Sequence, residues 1–198
     1  LSPRSTANRP AATDPEQVNQ DDTPTLPTVV VKPEDRIGLQ LGPLLYPLGG
    51  VIYDESAYLS VGQLQQAGVI NGLDRDDGIQ TADGQQFVKA SYVSSLGPEV
   101  SWDAETRQVS LDCCGDPEIE PINIAVAGQN LAESGLIIEG SSFTPVAALA
   151  ELNIAQVQVP NEYFVGVDQV FYVKSEGLKA IGLDVSWNAD SRTLTIER

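Results

Sequence analysis

The sequence predicts an α+β protein made of two tandem repeats of a small module, in which antiparallel hairpins pack on one or two short helices. Three observations carry this. Gly50–Val69 (GVIYDESAYLSVGQLQQAGV) matches Gly135–Ile154 (GLIIEGSSFTPVAALAELNI). Phe87–Asp112 matches Tyr172–Glu197 at the same offset, with Val-Ser-Trp-Asp in the first answered by Val-Ser-Trp-Asn in the second. Short alternating apolar runs bounded by Gly, Asp and Asn outnumber helical stretches throughout. Self-similarity at a fixed spacing is the signature of a repeated structural unit.

Taken in order, residues 1–34 form a flexible polar N-terminal segment, rich in Pro, Thr, Asp, Asn and Gln, with a short Val run at 29–31 that suits an edge strand. The first α+β repeat spans 35–112. Ile37, Leu39 and Leu41 alternate with Gly38, Gln40 and Gly42 as in a strand, and Gly49-Gly50 marks a turn. Val51–Tyr53 and Tyr58-Leu59 form a hairpin around Asp54-Glu55-Ser56, and Ser60 caps a helix whose buried side is Val61, Leu64 and Ala67, closed by Gly68. Asn71–Gly84 reads as a polar loop. Ala90–Leu96 is a short helix stopped at Gly97, followed by a hairpin from Val100 and Trp102 to Val109 and Leu111.

Residues 113–121 (CCGDPEIEP) are a linker, and 122–198 are the second α+β repeat. There Ile122, Ile124 and Val126 alternate, and Leu136–Ile138 and Phe143-Thr144 flank a turn. Thr144 is expected to cap a helix with Pro145 at its first position and Val146, Leu149, Ala150 and Ile154 on its buried side. A second helix over 174–181 ends at Gly182, and Val185–Trp187 with Leu194–Ile196 completes the unit.

Composition narrows the function. The chain has 198 residues, a formal charge of -17 from 28 acids and 11 bases, and no histidine. Such a surface repels nucleic-acid phosphates and anionic membrane faces, so neither is an expected partner. Without histidine there is no imidazole zinc site, no histidine general base and no standard serine triad. No apolar stretch approaches the length of a membrane span. Methionine is absent and residue 1 is Leu, which is expected of a chain whose leader has been removed. The two cysteines are neighbours, Cys113 and Cys114, and are expected to be reduced or locally paired, since the spacing of thiol exchange is missing.

The residues of interest come in equivalent pairs. Trp102 and Trp187 read as core tryptophans in phase with Val100 and Val185, the competing reading being exposed platforms for sugar rings or peptides. Arg107 and Arg192 read as structural clasps, pairing with Asp103 and Asp190 across the hairpin or stacking on the indole. Lys89 and Lys174 open short helices and project to solvent. Asp74, Asp76 and Asp77 offer oxygen donors for calcium, although Gly78 falls at the wrong step for an EF-hand loop, so an ordinary solvated loop is expected and no cofactor is assigned. No nucleophile elbow or phosphate-binding glycine loop is present.

The segments IIEGSSFTPVAALAELN and LKAIGLDVSWNADSRTLTIER resemble the copper amine oxidase N-terminal-like domain, a stalk module of secreted and surface-attached bacterial proteins. The likeness covers Ile137–Ile154 and Leu178–Ile196, and more loosely Val51–Val69 and Val93–Leu111. It implies a non-catalytic domain in an extracellular or cell-envelope setting, separate from any copper and quinone site; the histidines that hold copper do not exist here. The resulting expectation is an interaction, adhesion or spacer protein that recognises envelope or extracellular polysaccharide or another surface protein. The alternatives are a small carboxylate-dependent glycan hydrolase, or an accessory or inhibitory domain of a larger secreted enzyme.

Overall fold

Hairpins joined by very short turns dominate the chain, and the computed structural model, which describes residues 25–73 and 75–198, shows mixed helix and strand with a mostly antiparallel sheet. In the first half lie β1 (Thr28–Val29), β2 (Arg36–Leu41), β3 (Leu44–Tyr53), β4 (Ser56–Ser60), α1 (Val61–Gln66), β5 (Gly78–Thr81), β6 (Gln86–Lys89), α2 (Ala90–Ser95), β7 (Glu99–Asp103) and β8 (Gln108–Asp112). The second half has β9 (Ile119–Val126), β10 (Gln129–Asn130), β11 (Gly135–Ile138), β12 (Ser141–Pro145), α3 (Ala147–Glu151), β13 (Phe164–Val167), β14 (Val170–Lys174), α4 (Ser175–Ala180), β15 (Asp184–Asn188) and β16 (Thr193–Glu197). Among the described residues no helix is long and apolar enough to cross a membrane.

Side by side, the first half runs β5-β6-β4-β3-β2-β8-β7 and the second runs β13-β14-β12-β11-β9-β16-β15. Registers agree as well. Gly38 faces Gln108 across the parallel β2/β8 pair, and Asn123 faces Thr193 across the parallel β9/β16 pair. Val51 faces Tyr58, and Leu136 faces Phe143. Two-residue turns with both φ positive close β3–β4 (Asp54 46°, Glu55 59°) and β11–β12 (Glu139 48°, Gly140 80°). That geometry matches the twist of the strands it connects. The halves join where β3 meets β13, with Leu45 opposite Gly166.

Packing explains why the halves adhere. Strand side chains alternate between faces, and β11, β13 and β14 carry packed apolar side chains on both faces. Ile137, Phe164 and Val173 point to a core with Ile124, Leu149 and Leu178. Their neighbours Ile138, Val165 and Tyr172 point the other way, into the core of the first half with Leu39, Leu64, Val93 and Leu111. Each such side chain fully buried contributes about 1.5–3 kcal/mol, so the shared core ties the halves together. Gln63 on α1 adds a polar link, donating from Nε2 to the Glu162 carbonyl at 3.1 Å.

Several sequence expectations need correction. The segment called flexible up to residue 34 contains β1, which pairs in parallel with β5, and a 3-10 turn at Pro33–Asp35; residues 1–24 lie outside the described residues. Asn71–Gly84 is not all loop, because Gly78–Thr81 is a strand with Ile79 and Thr81 buried. Gly49-Gly50 is not a turn but the middle of β3. A side chain at Gly50 would place Cβ 2.8 Å from Ile37 Cγ1, so glycine here permits a close crossing of β2. Pro145 ends β12, the cap of α3 is Val146, and Ala150 faces solvent. By contrast Ser60 does cap α1, its Oγ accepting from the Gln63 amide at 3.4 Å.

Candidate functional site: an open cleft at Trp102

The tip of the β7–β8 hairpin is shaped by Asp103. Its Oδ1 accepts from the amides of Glu105 (2.9 Å) and Thr106 (3.3 Å), and these bonds, led by those from Thr106, hold its carboxyl below the ordinary value of 3.8. Arg107 then takes a left-handed φ of 53° and returns the chain into β8. Trp102 sits opposite Val109 and so shares its face of the ribbon. β7 is the terminal strand of its sheet, however, and Trp102 keeps 47% of its surface exposed while Val109 keeps 2%. Trp187, opposite Leu194 on the terminal strand β15, keeps 44%. The core reading of both tryptophans is therefore corrected: being in phase with buried valines does not bury a ring that overhangs a sheet edge.

The arginines also differ from expectation. Neither clasps its own hairpin. Arg107 Nη2 donates to the Glu34 carbonyl at 2.7 Å, and the Gly38 amide donates to the Arg107 carbonyl at 3.0 Å, so the 3-10 turn before β2 is tied to the start of β8. Arg192 pairs with Glu120 Oε2 at 2.5 Å, with side chains half exposed, and lowers the pKa of that carboxyl. Such exposed pairs contribute little stability; they position neighbouring segments.

The tie between Arg107 and Glu34 borders a concave surface. Glu34 and Asp35 from the 3-10 turn, Ile52 and Ala57 from β3 and β4, Glu55 from their turn, and Trp102 with Arg107 line an open cavity of about 550 Å³. The volume lies in the range of small-ligand clefts, about 300–1,000 Å³. An indole and three carboxylates share one cavity lining with one guanidinium. Among the described residues none of the three carboxylates is in an ion pair. A flat aromatic face beside hydrogen-bonding groups suits a sugar ring, which offers apolar C–H faces and a rim of hydroxyls.

Sequence reading found Trp102 and Arg107 but missed Glu34, Asp35, Ile52, Glu55 and Ala57. Nothing local marks them, since parallel pairing of β2 with β8 is what brings residue 34 to residue 107. The calcium candidates fare differently: Asp76 is exposed and Asp77 half-buried in the 3-10 turn at 75–77, while Asp74 lies outside the described residues. Among the described residues no three acid, cysteine or histidine side chains converge as metal ligands. Lys89 and Lys174 occupy the cap positions of α2 and α4.

Two other features lie outside this cleft. The sulfurs of Cys113 and Cys114 lie 2.8 Å apart, hydrogen-bonded to each other and not joined by a disulfide. Burial, with help from the Cys114 hydrogen bond, pushes the Cys113 thiol up to about 12, which leaves it protonated and a poor nucleophile at neutral pH. A separate apolar groove of about 560 Å³ lies at the join of the halves, between Pro47 and Leu48 on one side and Val146, Val157 and Phe171 on the other. Set against protein-family models, curated proteins and solved structures, the chain matches none.

Proposed function

We propose that this protein is a non-catalytic interaction module, built from two copies of one α+β unit, and that its Trp102 cleft binds extracellular or cell-envelope polysaccharide. The carrying observation is the half-exposed Trp102 indole on the wall of a cavity of about 550 Å³. An exposed tryptophan leaves apolar surface in water, and stacking a sugar ring on it recovers that area. Support for two copies of one unit comes from the common strand order and from registers that recur 85 residues apart, as from Gly38 to Asn123. The resemblance of Ile137–Ile154 and Leu178–Ile196 to the copper amine oxidase N-terminal-like stalk family favours the same reading, and with it an extracellular or envelope location.

A pulldown on isolated cell walls with a glycan array tests it. Retention on at least one polymer, lost in Trp102→Ala, is expected; no retention on any polymer sinks the proposal. A second reading draws on the same cleft: Glu34, Asp35 and Glu55 supply the carboxylates that glycoside hydrolysis requires. Release of new reducing ends from a bound oligosaccharide, abolished by Glu55→Gln, would replace the binding reading with the hydrolase.

A further inference from the structure

The surroundings of the two tryptophans differ in charge, and this bears on what the cleft takes. At Trp102 three carboxylates (Glu34, Asp35, Glu55) stand against one guanidinium, whose Nη2 is engaged by a backbone carbonyl. Glu34 and Glu55 are solvent-exposed. Positions 85 residues later carry Ile119, Glu120 and Gly140, and Glu120 is neutralised by Arg192. The cleft at Trp102 thus holds three carboxylates to one guanidinium, whereas the equivalent positions of the other half hold a single acid, paired with Arg192.

The geometry points to a ligand that presents a protonated amine to the Trp102 cleft: an amino-sugar polymer with free amines, in preference to a neutral or N-acylated glycan. The inference rests on the reading of the cleft as a glycan site. Two independent features converge on it, the open cavity with its exposed indole and the sign of the charge around that indole. An ammonium group is attracted to the face of an indole by the ring quadrupole. Its three N–H donors match carboxylates that accept only. A cation in the cleft is attracted by each carboxylate that lines it. At long range, the net charge of -17 concentrates cationic polymers at the surface and speeds their encounter.

Calorimetric titration of the whole chain with three probes tests this: a glucosamine hexamer, the N-acetylglucosamine hexamer of the same length, and spermine. The runs are made at mildly acidic pH, where the amines of glucosamine and spermine are charged. The glucosamine hexamer is expected to bind at least about tenfold tighter than its acetylated counterpart at low salt. That gap should close at about 0.5 M salt, where screening is strong. Glu34→Gln with Glu55→Gln should remove the gap, and Trp102→Ala should weaken both hexamers; both acids are exposed, and circular dichroism checks that each variant folds. Equal affinity for the two hexamers overturns the amine inference and leaves the glycan reading standing. Spermine matching the glucosamine hexamer, with the acetylated hexamer silent, overturns the glycan reading and retains the amine. Silence from all three probes overturns both.

Discussion

The hairpins β7–β8 and β15–β16 carry a tryptophan at the same step of the same register, facing Val109 in one and Leu194 in the other. Both rings overhang a terminal strand and both are close to half exposed. Yet the first lines a cleft with Glu34, Asp35 and Glu55, whereas in the second half the position equivalent to Asp35 is Glu120, paired with Arg192. The comparison teaches that strand register fixes where an aromatic ring emerges, whereas the turns and chain entries around it set its surroundings. Glu55 and Gly140 hold corresponding turn positions, both with positive φ, so the charge at the turn differs while its backbone conformation does not.

The comparison can be broken at several points. The largest expected effect lies in the cores. The first half carries Tyr46 where the second has Leu131, and burial, aided by Glu139 and Cys114, raises the Tyr46 phenol from 10.0 to about 12. A phenol that is harder to ionise when folded contributes stability that is complete below its unfolded value and lost as pH rises through its folded one. Urea denaturation should therefore lose about 3 kcal/mol between pH 10 and about 12 on account of Tyr46. Tyr46→Phe should flatten that limb, and an unchanged slope would exclude Tyr46 as its source.

Next comes the close crossing of strands. Alanine at Gly135 would set Cβ 2.6 Å from the Phe143 carbonyl oxygen, and at Gly50 it would meet the Tyr58 carbonyl at 3.0 Å. Both substitutions should destabilise by about 1–3 kcal/mol, Gly135→Ala the more, by chemical denaturation. A neutral result at either would mean the strands do not cross as described. For binding, Trp102→Ala should weaken a retained glycan at least about tenfold, with Trp187→Ala inside about twofold. Equal losses would make the two surfaces functionally equivalent. The smallest effect is at the turns. Asp103 ionises below 3.8 and holds the Glu105 and Thr106 amides, whereas Asn188 does the corresponding work by accepting from the Ser191 amide at 3.1 Å without titrating. The carboxylate bonds are intact above the unfolded value and lost as pH falls through the folded one. Asp103→Asn should remove this acid dependence from the first hairpin, read by amide shifts of residues 103–107.

How far the sequence could be read follows from which contacts are local. The hairpins at 51–59 and 100–111, the helices at 61–66, 90–95 and 175–180, and the Ser60 cap are written in neighbouring residues by alternation, spacing and turn chemistry. β5 and β13 were not legible, because four residues such as Gly78–Thr81 carry too short an alternation to mark a strand, although each pairs with the next strand along the chain. The same holds for Gly49-Gly50, where glycine reflects close approach of β2 and not a bend. For the site, the tryptophans and arginines could be found as recurring residues. Their exposure and partners could not, since sheet order decides both: β7 and β15 end their sheets, and parallel pairing delivers Glu34 to Arg107.

The most direct test uses the fact that the chain has two tryptophans and so two indole N–H resonances. Each is assigned by Trp→Phe substitution in an 15N-correlation spectrum, and an amino-sugar oligomer is added. The account predicts that the Trp102 indole signal moves progressively to saturation while that of Trp187 stays in place. Equal movement of both signals, or movement of Trp187 alone, would contradict it.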